Sequence, residues 1–380
     1  MRKKFSSLVD YIDSIDKFFF ILKKFKDMEE FQDNSAKFIL LVSQSSEDDF
    51  DVILNNIKNK YSRKFAVIDK KIESRGNEVL YRLEITRKFY WKSKFRLLPG
   101  KCLFYLNKND NYLIVFTDHS TDFAVNALMA FTNKLYPYFA RVIIPHFFIV
   151  NLIEKLEQEG YECISSILSK KKWWERATPI MGEKPSSGVE FPVGIEFQKV
   201  LEQLRNENST INAIMLAVLT DTTPILRFYV SRKGLVQYIS GDFEFFQKRI
   251  LKSTIDYGID TILKFKDKNR DIEEIKPLRV RFSGLEEFGA REVISRFIVA
   301  IKSNRNFSTT ILHQGNPYFD ANICDLSDGS TFNLLLFNKL DNYELIIVPQ
   351  YVASPTSLMG FFETLFTNFG EGDIEEYSSG

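Results

Sequence analysis

The feature that most constrains this chain is an internal repeat. Residues 106–139, LNKNDNYLIVFTDHSTDFAVNALMAFTNKLYPYF, match 337–369, FNKLDNYELIIVPQYVASPTSLMGFFETLFTNF, in order. Asn107, Lys108, Asp110, Asn111 and Tyr112 align with Asn338, Lys339, Asp341, Asn342 and Tyr343. After a one-residue offset, Leu128, Met129, Phe131, Leu135 and Phe139 align with Leu358, Met359, Phe361, Leu365 and Phe369. A short Asn/Asp-rich turn between apolar runs predicts a hairpin. Apolar residues three and four apart then predict a helix. The two segments therefore read as one structural unit used twice.

The flanking sequence extends the match. The first copy predicts a strand at KFILLVS (37–43), a helix over 48–59 and strands near 64–72, 78–91 and 100–106. The last predicts a strand at LRVRFSG (278–284), a helix over 288–302 and strands near 306–313, 318–325 and 331–337. The middle of the chain follows the same order. RVIIP (141–145) precedes a helical HFFIVNLIEKLEQEGY, then come ECISSILS, INAIMLAVL, ILRFYVS and LVQYIS, and a helix capped by Asp242. PIMGEKPSSGVEFPVG (179–194) interrupts this copy and reads as a loop insertion.

The fold class expected is α+β. It consists of tandem units of strand, helix, four-stranded antiparallel meander and helix, spanning 36–140, 141–266 and 278–370. DKNRDIEEIKP (267–277) is a linker and 371–380 an acidic tail. This order of elements resembles the TATA-binding-protein half-repeat, a likeness of topology that covers no motif residues. Residues 1–35 hold an amphipathic helix of their own. Leu8, Ile15 and Leu22 are seven apart, as are Tyr11, Phe18 and Phe25, which makes an a/d stripe. The stripe docks either on the first unit or on a partner helix.

Net charge is +1, but it is unevenly spread. Residues 51–101 hold 14 Lys and Arg against 5 Asp and Glu; residues 318–376 hold 1 Lys against 10 Asp and Glu. The basic excess peaks at RKFYWKSKFR (87–96). Read as one strand, it places Lys88, Tyr90, Lys92, Lys94 and Arg96 on one face and Arg87, Phe89, Trp91 and Phe95 on the other. SKKKWWER (169–176) repeats the chemistry with Lys170, Lys171, Lys172, Trp173 and Trp174. Clustered cations with aromatic rings between them suit phosphates and bases. Two other readings stand beside this one. Lysines can simply guard a solvated edge strand, or they can meet the acidic C-terminal region of a second copy.

Catalytic signatures are missing. His119, His146 and His313 lack metal-ligand spacing, and Cys102, Cys163 and Cys324 are scattered among apolar residues. Asp320, Asp325 and Asp328 surround an Asp-Gly turn signal. Asp69 and Glu84 could begin a metal-dependent nuclease core, but Thr86 stands where its lysine belongs. No phosphate-binding glycine loop, nucleophile elbow or Cys-x-x-Cys occurs. Apolar runs such as FFFIL fall far short of a bilayer span, and the N-terminus lacks a signal-peptide pattern, so a cytoplasmic protein with no membrane partner is expected.

The expectation is a non-catalytic nucleic-acid-binding subunit of a multi-protein assembly, without cofactor or metal. A microbial defence setting is added without any residue that carries it. The alternative is an adaptor that self-associates or docks a partner enzyme through its N-terminal helix and acidic C-terminal unit. A metal-dependent nuclease is the remote third.

Overall fold

The computed structural model describes residues 8–24, 35–43, 50–91, 94–172, 188–206, 209–265, 277–282, 285, 289–315, 318–339, 342–350 and 353–377. The chain divides into two compact units, the first drawn mainly from residues up to 259 and the second mainly from 260 onward.

The first unit opens with α1 (Leu8–Tyr11) and α2 (Ile15–Lys24). Next come β1 (Lys37–Ser43), α3 (Phe50–Lys60), β2 (Phe65–Arg75), β3 (Glu78–Trp91), β4 (Lys94–Asn107) and β5 (Tyr112–Thr117). A π-helical segment, Phe123–Leu128, runs into α4 (Met129–Thr132). The chain continues through β6 (Phe139–Arg141), α5 (His146–Gln158), β7 (Glu162–Lys172), β8 (Gly188–Glu196) and α6 (Phe197–Asn206). β9 (Ser209–Thr220), β10 (Thr223–Ser231) and β11 (Leu235–Gly241) complete the strands. The closing helical run is α7 (Phe243–Phe245), a second π-helical segment (Phe246–Leu251) and α8 (Lys252–Phe265). Asp242 caps it as expected, its carboxylate accepting from the Phe245 N–H at 3.0 Å.

Sequence patterning predicts a separate sheet for each unit. Instead, the first and middle meanders join in one sheet, ordered β2-β3-β4-β5-β1-β11-β10-β9-β7-β8, with β6 also on β1. β1 is the shared strand, antiparallel to β5 over Lys37–Val42 and to β11 over Lys37–Ile39. All seven residues of KFILLVS are buried. An unbroken apolar run of this kind suits a strand covered on both faces. One face of the first meander packs beneath α3, the π-helical segment and α4, in a core that includes Ile39, Leu41, Tyr81, Leu83, Phe104, Phe123 and Phe131. On the other face Phe18 of α2 stacks on Tyr105 at 5.6 Å and meets Phe116 edge-on at 6.3 Å.

The N-terminal segment is two helices rather than one stripe. Ser14 breaks it, accepting from the Lys17 N–H at 3.1 Å to start α2. The break frees the Asp10 and Ile12 carbonyls to accept from Arg82 at 3.2 and 2.8 Å. Leu8, Ile15 and Phe18 are fully buried in this chain's own first unit. The side chains of Tyr11 and Leu22, and Phe25 as a whole, lie outside the described residues. Part of the 179–194 insertion is also not loop: β8 begins at Gly188 and pairs with β7.

The second unit carries β12 (Leu278–Phe282), α9 (Ala290–Ile301), β13 (Phe307–Gln314), β14 (Tyr318–Asp325), β15 (Thr331–Lys339), β16 (Asn342–Pro349), α10 (Pro355–Asn368) and β17 (Gly372–Glu376). Its sheet order is β13-β14-β15-β16-β12-β17. The order β2-β3-β4-β5-β1 in the first copy is the same arrangement without the last strand. The turn registers agree as well: Asn107 opposes Tyr112, and Asn338 opposes Tyr343. The five matched helix-region positions are buried in both copies. The copies differ in helix length, since α4 is brief and α10 is continuous.

The acidic tail is partly structure. β17 pairs with β12, and Glu375 bridges Arg279 at 2.6 Å and Arg281 at 3.5 Å. That pairing neutralises part of the C-terminal negative charge within the chain.

Candidate functional site

RKFYWKSKFR is not one strand but the tip of a hairpin. β3 ends at Trp91, β4 starts at Lys94, and Trp91 opposes Lys94. Directly opposed residues share a face, so the two-residue link reverses the alternation expected after it. Phe89 opposes Arg96, Tyr90 opposes Phe95, and Lys88 opposes Leu97. Phe95 therefore leaves the expected apolar face, and Arg96 leaves the expected basic one. Tyr90 is 75% exposed, Phe95 56% and Leu97 57%; none of them covers a core. The Tyr90 and Phe95 rings meet edge to face at 5.6 Å.

The hairpin also overhangs its neighbour. β2 begins at Phe65, opposite Arg87, so residues 89–91 pair with β4 on one side only. A cleft of about 470 Å³ sits at this overhang. Five cations line it: Arg63 and Lys64 from the turn before β2, Arg87 and Lys88 from β3, and Lys134 from just beyond α4. Phe65, Phe89, Tyr90 and Phe95 supply rings, and no carboxylate is among the lining residues.

The walls are tied together. The Lys88 N–H donates to the Lys64 carbonyl at 2.7 Å. Arg87 donates to the Asn126 carbonyl and lies over the Phe89 ring at 5.2 Å. Lys134 lies over the Tyr61 ring at 5.2 Å, and Lys88 reaches the Ser62 carbonyl at 3.5 Å. These contacts go to carbonyls and ring faces, and among the described residues no carboxylate lines the cleft.

Of the residues singled out by sequence, Lys88, Tyr90, Lys94 and Arg96 lie on this hairpin, and Lys88 and Tyr90 line the cleft. Lys94 is on β4 and Lys170, Lys171 and Lys172 end β7, but their side chains are outside the described residues, as are Lys92, Trp173 and Trp174 entirely. Sequence reasoning missed Arg63, Lys64, Arg87 and Lys134 as members. Arg63 and Lys64 were present in the basic count of 51–101; Lys134 carried no local signal, since only the tertiary fold brings it there.

The other chemistry resolves into structure. Asp69 opposes Leu83 while Glu84 opposes Ile68, which puts the two carboxylates on opposite sheet faces, each with its own lysine, Lys58 and Lys101. The Asp325 carboxylate accepts from the Ser327 N–H and Asp328 from the Ser330 N–H, both at 2.9 Å, and Gly329 takes φ 79°, as a tight turn requires. His313 stacks on Tyr318 at 4.5 Å. Burial holds His119 below its usual range; Asp118 partly offsets this and Lys101 adds to it. Cys102 and Cys163 are buried, and burial pushes the Cys163 thiol up to about 12; Cys324 is only half-buried. Among the described residues no group of His, Cys, Asp and Glu could hold a metal, and no helix is long and apolar enough to cross a membrane. No protein family and no curated protein matches the chain.

Proposed function

We propose that this protein binds nucleic acid as a non-catalytic subunit, with the β3–β4 overhang as the contact. The observation that carries the reading is the convergence of five cations from three elements on one cleft without a carboxylate. Like charges gathered this way repel one another, and an arriving chain of phosphates relieves that repulsion while releasing counterions. The exposed Tyr90 and Phe95 rings beside them supply surface on which bases can stack.

A head-to-tail contact with the acidic region of another copy has less support, because Glu375 and Glu344 already bridge Arg279 and Arg281. An adaptor role through the N-terminal helix is weakened in the same way, since Leu8, Ile15 and Phe18 are buried in the chain's own core.

Charge reversal tests the proposal. Lys64→Glu combined with Lys88→Glu is expected to abolish binding of labelled oligonucleotides in fluorescence anisotropy, equally for every sequence, because phosphate contacts carry no base information. The melting temperature should hold, since Lys64 is exposed and Lys88, though half-buried, meets the Ser62 carbonyl at the surface; surface substitutions of this kind usually cost under about 0.5 kcal/mol. Undiminished binding by a folded double variant would refute the reading.

A further inference from the structure

We infer that the ligand of this cleft is a single strand rather than a duplex, with an unpaired base stacked on the Tyr90–Phe95 pair; this rests on the nucleic-acid reading above. The argument begins with where the rings are. Tyr90 and Phe95 oppose each other at the hairpin tip and touch edge to face, so their contact takes up one face of one ring and leaves the remaining faces open. Both are more than half exposed, although aromatic side chains gain most from burial. Phe89 differs: the Arg87 guanidinium covers it at 5.2 Å. The tip thus offers two open rings next to a lined basic cleft.

In a duplex every base face except those of the two end pairs is covered by its neighbours in the stack. A duplex can satisfy the five cations but leaves the rings in water. A single strand can lay phosphates along Arg63, Lys64, Lys88 and Lys134 and turn a base onto Tyr90, using both halves of the site. Because ring faces accept any base, this recognition is tolerant of sequence. The carbonyl contacts of Arg87 and of the Lys88 N–H fix the cleft walls before the strand arrives, so little ordering cost falls on the protein. Cations drawn from three separate elements also exceed what one phosphate needs, which favours a strand over a mononucleotide.

The experiment measures anisotropy with labelled oligothymidylate and oligouridylate of about 12 nucleotides, within the usual site-size range, and with a duplex of equal length, in one buffer. The wild-type protein should bind both single strands more tightly than the duplex. Tyr90→Ala with Phe95→Ala should weaken single-strand binding about tenfold or more and leave duplex binding within about twofold. Tyr90→Phe should retain the wild-type affinity, since it keeps the ring. A duplex bound as tightly as the single strands, or single-strand affinity indifferent to loss of both rings, would overturn the inference while leaving the nucleic-acid reading intact. A mononucleotide that displaces the strand at equal concentration would overturn it too. No binding of either form would defeat both readings.

Discussion

Lys37 is buried at the start of the shared strand. Its ammonium donates to the Ser35 carbonyl at 3.0 Å and to the Ser35 hydroxyl and His119 carbonyl at 2.6 Å. Burial lowers its pKa to about 8, and the nearby Asp118 carboxylate only partly offsets this. In the unfolded chain the lysine titrates near its ordinary 10.5. Between those values the unfolded chain binds more protons, so stability rises with pH across that window, and the cost of the buried charge is complete below it. Relative to a Lys37→Met variant, the wild-type melting temperature should therefore climb as pH goes from about 8 to about 10. A difference that stays flat with pH would contradict the burial assigned to this ammonium. Phe18 gives a second residue-level test. It is fully buried against Tyr105 and Phe116, and Phe18→Ala should lower unfolding free energy by about 3 kcal/mol in denaturant titration. A loss below about 0.5 kcal/mol would mean that α2 is not docked on the sheet.

Elements were legible in the sequence wherever one period persisted. KFILLVS, the Asn-Lys-x-Asp-Asn-Tyr turns and the helix after Gly289 lie where patterning puts them. Alternation failed at 87–96 because β3 ends at Trp91 and β4 starts opposite it at Lys94, and a period-two pattern carries no sign of that reversal. The heptad stripe failed for a similar reason, since Ser14 restarts the helix without disturbing the spacing of apolar residues. The cleft itself was half legible: its β3 cations stand in one stretch, while Lys134 arrives through the π-helical segment and α4. That segment depends on one glycine. A Cβ at Gly100 would lie 2.5 Å from the buried Phe123 ring, where the π-helical turn begins. Gly100→Ala should cost roughly 1–3 kcal/mol by chemical denaturation, and adding Phe123→Leu should recover part of the loss. An undiminished Gly100→Ala protein would show that β4 and the segment pack less closely than described.

Across the whole molecule, the organising fact is a repeated α+β unit whose first two meanders share β1. Ile39 stands opposite Val115 of β5 and Leu235 of β11, so one side chain serves both meanders. Ile39→Ala should accelerate hydrogen exchange in peptides from β5 and β11 together and leave β12–β17 unchanged; faster exchange in β5 alone would argue against a shared strand. The sequence could not reveal this joining, because the apolar pattern of an edge strand and of a strand between two meanders differs only in how completely each is covered. The proposed function rests on the basic cleft, and its salt dependence tests that proposal most directly. A single strand whose phosphates neutralise Arg63, Lys64, Lys88 and Lys134 should give log affinity against log salt a slope of about −3. Replacing Lys88 by Ala should make the slope shallower by about 0.7. A slope near zero, or one that Lys88→Ala leaves unchanged, would contradict a phosphate-binding cleft at the β3–β4 overhang.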